Sequence, residues 1–348
     1  MEKAKRSFIT YKKQQGPMDF SILMVVTILC AFGLVMVFSA SYYYAIHTQG
    51  DGFFYLKKQL VYMAVGYPLM LIVSRVNYRY LDRLRFMFLL VSVALLIMVL
   101  FIGSSGSGDT GGATLNGARR WLRFAGVSIQ PSEVAKFGMI FFMCSYMARH
   151  KDEMRTFTLG LAPMLLVIGI IAVGVVAVVL FIVLATSASY RLARLTSFRD
   201  PFKDPQGDGY QLVQSFYAIG SGGWFGKGLG NSYQKLLYMT YGESDFIFAI
   251  ICEEFGMVGG AIVILLYAWI VYRGMRIAMK CRNRYGSLMA AGISIVFGLQ
   301  VFINIAVVTG LAPTTGQPLP FISAGGSSLL VFMVSMGILL NISRDIDI

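Results

Sequence analysis

The sequence predicts an all-α fold, a polytopic bundle of transmembrane helices, and three observations carry that reading. Hydrophobic residues make up 57% of the 348-residue chain against 14% charged, a balance outside the range of soluble globular domains. Apolar runs recur along the chain, each near the ~20 helical residues that cross a ~30 Å hydrocarbon core. They lack strand-like alternation, and backbone amides in lipid must be bonded within their own segment, so helices are expected rather than barrel strands.

Taken in order, the runs fall near 20–40, 58–74, 86–103, 132–148, 158–185, 246–272, 287–311 and 322–342, which gives eight spans in a single transmembrane domain, 1–348. The first follows Lys3, Lys5, Arg6, Lys12 and Lys13 and precedes Ser39-Ala40-Ser41, in the manner of a secretory signal. Its apolar core exceeds the ~7–15 residues of a cleaved signal, so an uncleaved span is expected. The second and third are separated by Arg75, Arg79, Arg83 and Arg85. The fourth opens with Pro131, which suits a first helical position, and Glu133, which can meet the exposed amides of the first turn. The fifth runs from Leu159 to Leu184 without interruption; the sixth follows Asp245, and the last two flank a Pro- and Gly-rich run.

Lys and Arg are retained on the cytoplasmic side of a membrane protein. With the N-terminus inside, the inner segments hold more than half of the chain's 30 basic residues, including Arg149, Lys151, Arg155, Arg273, Arg276, Lys280, Arg282, Arg284 and Arg344. Both termini are then cytoplasmic, and residues 186–245 form a large extracytoplasmic loop. The net charge of +13 lies mostly in these juxtamembrane clusters, whose role is topology and contact with anionic lipid, so no nucleic-acid partner is expected. Cys30, Cys144 and Cys252 fall within spans and Cys281 in an inner loop, leaving no external pair to oxidise.

A long, polar, Gly- and aromatic-rich external loop suits an enzyme that works on a lipid-borne substrate at the bilayer surface. His47 and His150 fall on opposite faces and no Cys or His stands at ligand spacing, which argues against zinc sites and Ser-His-Asp triads. The available groups are carboxylates, Lys, Arg and hydroxyls. Arg119, Arg120 and Trp121 lie in the second external loop, and Lys136 shares a helix face with Glu133 by the i, i+3 rule. Glu133 either caps its helix or joins a site. Lys136 either snorkels outward or converges with Arg119 and Arg120 on a diphosphate, which planar guanidinium groups grip well.

In the large loop, Arg191 and Arg194 share one helical face with Leu192, Leu195 and Phe198 available for lipid, and Leu212, Val213, Phe216 and Tyr217 form a stripe opposite Gln211 and Gln214. Two interfacial helices are expected. Gly222 to Gly230 has the glycine density of a phosphate-binding loop, but no strand precedes it, so a flexible interfacial turn is expected instead. Asp245 is either a helix cap or a catalytic carboxylate. Glu253 and Glu254, two turns further along, either pair with neighbours or line a polar cavity. Pro313 to Ser328, with Ser323 inside it, is too irregular for lipid contact and is expected as part of a site wall.

Asn116-Gly-Ala-Arg-Arg-Trp121, Gln130-Pro-Ser-Glu-Val-Ala-Lys136, Tyr190-Arg-Leu-Ala-Arg-Leu195, Asp245-Phe-Ile-Phe248 with Glu253-Glu-Phe-Gly256, and the Pro313 to Ser328 run together resemble the SEDS (shape, elongation, division and sporulation) family, and most nearly its FtsW and SpoVE branch. The resemblance spans about residues 20–342. It implies a peptidoglycan glycosyltransferase that polymerises lipid II, the undecaprenyl-diphosphate disaccharide-pentapeptide, on the outer face of the bacterial cytoplasmic membrane. It implies a class B penicillin-binding protein transpeptidase as partner, with other divisome or sporulation wall-synthesis proteins. By the family's pattern Asp245 is the essential carboxylate, and Arg120, Trp121, Glu133 and Lys136 match its Arg-Trp motif and its fourth-span Glu and Lys. Arg119, Arg191, Arg194, Glu253 and Ser323 join the expected substrate-binding set. No cofactor is demanded by a ligand cluster, although a divalent cation is compatible with the chemistry.

The chain departs from the family in two places. Members have ten spans, whereas the run from Leu159 to Leu184, about 26 residues or ~39 Å of helix, is what joined ends of two helices would leave if two spans were missing. Met239-Thr240-Tyr241 stands where relatives read Leu-Pro-Glu, with Glu243 close by. The rival to an enzyme is a lipid II flippase that uses Glu253 and Glu254 as polar stepping points.

Overall fold

The computed structural model describes residues 16–102, 122–124, 127–150, 198–207, 209–236, 238–239 and 242–346. Helix α1 (Phe20–Gln49) begins at Asp19, whose carboxylate accepts from the amides of Ser21 and Ile22, and it stops at Gly50 in the left-handed conformation. It is followed by α2 (Phe54–Val73), the short α3 (Arg79–Arg83) and α4 (Arg85–Ile102). A small antiparallel hairpin, β1 (Leu122–Phe124) with β2 (Val127–Ile129), then leads into α5 (Pro131–Arg149). The large loop contributes a 3-10 turn at Pro201–Lys203 and α6 (Tyr210–Gly222). Helices α7 (Ile247–Lys280), α8 (Arg284–Val308) and α9 (Gly326–Ser343) complete the chain.

The described residues are therefore all-α apart from the hairpin. Among the described residues five helices, α1, α2, α7, α8 and α9, are long and apolar enough to cross a membrane. The apolar α4 matches α9 at 18 residues, and α5 carries Glu133 and Lys136. Of the eight expected spans, seven coincide with helices, and the fifth, 158–185, lies outside the described residues.

Helix α9 is the central element, buried along most of its length and packed on α2, α8 and α5. Phe297, Phe321 and Phe332 meet around it at ring separations of 5.7 to 6.4 Å, within the range where aromatic pairs attract. Gly33 of α1 allows a close approach to this core: a Cβ there would lie 2.4 Å from the Phe321 carbonyl.

One end of the bundle gathers the basic segments. Arg273 grips Asp19 through both Nε and an Nη at 2.9 and 2.6 Å, Arg149 pairs with Asp82, and Arg79 with Asp345. Tyr78 donates to Asp345, and the Asn341 side chain ties the turn after α2 to the end of α9. Asp245, at the start of α7, and the 313–325 loop lie at the other end.

Helix α7 is broken at Gly256, which has φ 70 and ψ −171. An unbroken helix would bond the amides of Met257 and Val258 to the carbonyls of Glu253 and Glu254. Here the glycine-rich loop takes over both sides of the break. The amides of Lys227 and Gly228 donate to the Glu253 and Glu254 carbonyls at 3.0 and 2.9 Å, and the amides of Met257 and Val258 donate to the Gly223 and Trp224 carbonyls at 2.9 and 3.2 Å. The expected flexible turn at Gly222 to Gly230 is thus a docked loop, because every backbone group exposed by the break must find a partner.

Of the two expected interfacial helices, α6 forms over 210–222, while most of the first lies outside the described residues. Its buried face includes Leu212 and Val213 but also Ser215 and Ala218, with Tyr217 outward. The face differs from the expected stripe because α6 packs on α7 and Ser215 donates to the Val308 carbonyl, so protein rather than lipid selects the inward side.

Candidate active site

Three segments meet at the end opposite the Asp19–Arg273 pair: the turn before α7, the 313–325 loop, and the first turns of α5. The first two are laced together. The Ser323 hydroxyl donates to the Ser244 carbonyl at 2.7 Å and accepts from the Leu319 amide at 2.8 Å, and the Ala324 amide donates to the Glu243 carbonyl at 2.9 Å. Ser323 is buried at 2% exposure, so its hydroxyl holds the site wall to the Asp245 turn. The α5 entrance joins them where the Gln130 amide donates to Ser327.

Asp245 is half-buried, and its carboxylate accepts from the Ser244 hydroxyl at 3.0 Å. The helix start at Phe246 and Ile247 has no side-chain cap, so Asp245 does not serve as the N-cap of α7. Two residues earlier, Glu243 is buried at 5% exposure. Burial, and after it the neighbouring charge of Asp245, push its carboxyl up to about 7.

Lys136 turns inward rather than snorkelling. Its ammonium donates to Glu133 at 2.8 Å, Gln300 at 2.7 Å and Gln317 at 3.2 Å, engaging all three of its hydrogens. Glu133 is fully buried, and its second oxygen has no hydrogen-bond partner among the described residues. Capping accounts poorly for this carboxylate, since it serves as the counter-charge of Lys136.

Two side chains that sequence patterning did not single out join Lys136 to Asp245. Asn304 donates to the main-chain carbonyls of Asp245 at 2.8 Å and Gln317 at 2.7 Å, and Gln300 donates to the Pro318 carbonyl at 3.1 Å. The available signal was a pair of carboxamides one helical turn apart in an apolar span. The Asp245 main chain and the Lys136 ammonium therefore belong to one polar cluster.

Glu253 and Glu254 are fully buried but engaged. Glu253 accepts from Lys227, Ser232, Ser221 and the Tyr233 amide, whereas Glu254 accepts from Lys235 at 3.0 Å and Ser39 at 2.6 Å. They pin the docked loop to α7 and α1. Arg119, Arg120, Trp121, Arg191 and Arg194 lie outside the described residues. Among the described residues no group of three His, Cys, Asp or Glu side chains stands together.

Comparison with known proteins gives this arrangement a family. The profile for FtsW, RodA and SpoVE, described as cell cycle protein, matches residues 20–177 and 157–347. Stage V sporulation protein E of Bacillus subtilis is 36% identical over 367 residues, covering 95% of this chain and 98% of that protein. A probable peptidoglycan glycosyltransferase FtsW of Trichlorobacter lovleyi is 36% identical over 365 residues, covering 95% and 94%. Both alignments are longer than this chain, and the profile match divides around the uninterrupted 159–184 run.

Among solved structures, a chain from a peptidoglycan synthase complex superposes with a TM-score of 0.65 at 24% identity, covering 94% of this chain and 98% of that one. The rod shape determining protein RodA of Thermus thermophilus superposes at 0.60 with 23% identity, covering 94% and 97%. Helices, site motifs and matches agree: the chain belongs to the FtsW/RodA/SpoVE family of cell cycle proteins.

Proposed function

We propose that this protein is a peptidoglycan glycosyltransferase that polymerises lipid II at the outer face of the bacterial cytoplasmic membrane, with both termini cytoplasmic, residues 186–245 external, and a class B penicillin-binding protein as partner. The observation that carries the reading is the cluster in which the Asp245 turn, Gln317 and Lys136 are joined through Asn304. The names of the curated relatives support the activity, and the likeness to a chain from a peptidoglycan synthase complex that coordinates polymerization and crosslinking supports the partner.

In the proposed reaction Asp245 removes the proton from the sugar 4-hydroxyl of an incoming lipid II. That oxygen bonds to the anomeric carbon of the growing strand as the carbon's bond to the diphosphate breaks, giving inversion and a β-1,4 link. Undecaprenyl diphosphate leaves with the bonding pair. Lys136, with Arg119 and Arg120, neutralises the charge that develops on it; fixed cations are most effective where charge appears. Arg191, Arg194 and Trp121 complete the proposed substrate contacts. Glu133 acts through Lys136, and Ser323 through the Asp245 turn.

The flippase alternative finds little support, because Glu253 and Glu254 are tied into ion pairs with Lys227 and Lys235 instead of lining an open path. The test is purified protein with its partner and labelled lipid II. Glycan chains are expected from the wild type and not from Asp245→Ala. Translocation of lipid II without any polymer would replace this reading with the transporter.

A further inference from the structure

Helix α8 presents two carboxamides, Gln300 and Asn304, on one face at i, i+4 spacing, buried at 4% and 2% exposure in a largely apolar segment. Burying an amide is unfavourable unless its hydrogens are bonded. Asn304 gives both of its hydrogens to main-chain carbonyls of two segments far apart in the chain, Asp245 and Gln317. Its own oxygen is buried with no hydrogen-bond partner among the described residues. A leucine of similar shape would fill this space without that cost, so packing alone does not explain the asparagine.

What the two bonds accomplish follows from where they lead. Gln317 accepts from Lys136 through its side chain while its backbone is held by Asn304, and Gln300 holds the same ammonium from one turn earlier on α8. The helix is a ruler with one mark set against the Asp245 turn and another against Lys136. We infer that Asn304 is a positioning residue that fixes the spacing between the Asp245 carboxylate and the Lys136 ammonium, and so the distance between proton removal and leaving-group charge. The inference rests on the glycosyltransferase reading above. It requires no contact between Asn304 and substrate, since both of its hydrogens go to backbone.

The test compares Asn304→Leu and Asn304→Gln with wild type and with Asp245→Ala, using the purified protein with its partner and labelled lipid II, each preparation normalised by its capacity to bind lipid II. Misplacing a reacting group by about 1 Å can cost 10²-fold. Asn304→Leu is expected to lower kcat by about 100-fold and to leave KM within about threefold of wild type. Asn304→Gln, which keeps a donor on a longer arm, should lower kcat by about 10-fold with KM equally unmoved. A purely structural role would reduce the lipid II binding fraction and leave the normalised kcat unchanged, and that result overturns the inference. Where Asn304→Leu yields no folded protein, the same two readouts on Asn304→Gln decide. Should Asp245→Ala polymerise normally, the glycosyltransferase assignment of Asp245 fails; should it be inactive while folded Asn304 variants keep wild-type kcat, only the positioning role fails.

Discussion

The Lys136 ammonium stands 2.8 Å from the Glu133 carboxylate one helical turn away, and that carboxylate is fully removed from solvent. Loss of Lys136 leaves the Glu133 carboxylate as an unpaired buried charge, which costs about 3–5 kcal/mol where the intact pair is close to neutral. Lys136→Met is therefore expected to lower the thermal midpoint sharply. Adding Glu133→Gln should recover most of that stability but none of the polymerisation. A thermal melt and a lipid II polymerisation assay on the single and double variants check both halves; recovery of activity in the double variant would contradict the role given to Lys136.

Gly256 is the hinge on which the docked loop depends. Its φ of 70 and the 2.4 Å separation between a built Cβ and the Trp224 carbonyl leave no room for a side chain. Gly256→Ala should destabilise by at least ~2 kcal/mol, combining backbone strain with the loss of loop contacts. Limited proteolysis should then cut within 223–230 faster than in the wild type, where the backbone of that stretch is hydrogen-bonded to the α7 break.

Asp19 performs two tasks at the opposite end, capping α1 and pairing with Arg273. Asp19→Asn retains a capping oxygen and loses only the charge, while Asp19→Ala loses both. The second variant should be less stable than the first by about 1 kcal/mol, the worth of an N-cap. Denaturation in detergent with the two variants side by side measures the difference.

Glu243 makes stability depend on pH. Its carboxyl is raised from 4.5 to about 7, so the folded state binds this proton more tightly than the unfolded chain. The associated stabilisation is complete below pH 4.5 and is lost as pH rises to about 7, on the order of 3 kcal/mol in all. The wild type should therefore lose stability between pH 5 and pH 8 relative to Glu243→Gln, which cannot titrate there. Equal pH dependence in the two proteins would contradict the burial of this group.

The helical plan was legible because lipid imposes a crude rule: apolar runs of sufficient length mark spans, and basic residues cluster at one end. Asp245, Glu133 and Lys136 were legible for a related reason, since charge near an apolar segment is costly enough to require a task. The joining residues were harder to see. Asn304 and Gln300 carry no charge, and their partners are backbone carbonyls, which leave no trace in side-chain patterning. The break at Gly256 was hidden as well, because nothing in the 246–272 run interrupts the helical pattern there and the irregularity is met by a loop some thirty residues earlier. The inward turn of Lys136 depended on acceptors at Gln300 and Gln317, and sequence spacing alone cannot bring those residues together.

The proposed role of Asp245 is to remove the proton during glycan polymerisation. The most direct measurement is the amount of polymer formed from labelled lipid II by purified wild type and Asp245→Ala, each with its partner transpeptidase and each shown to be folded by thermal melting. A fall of at least about 10²-fold is expected in the variant, the lower range for removing a general base, with lipid II binding retained. Polymer formed at the wild-type rate by folded Asp245→Ala would contradict it.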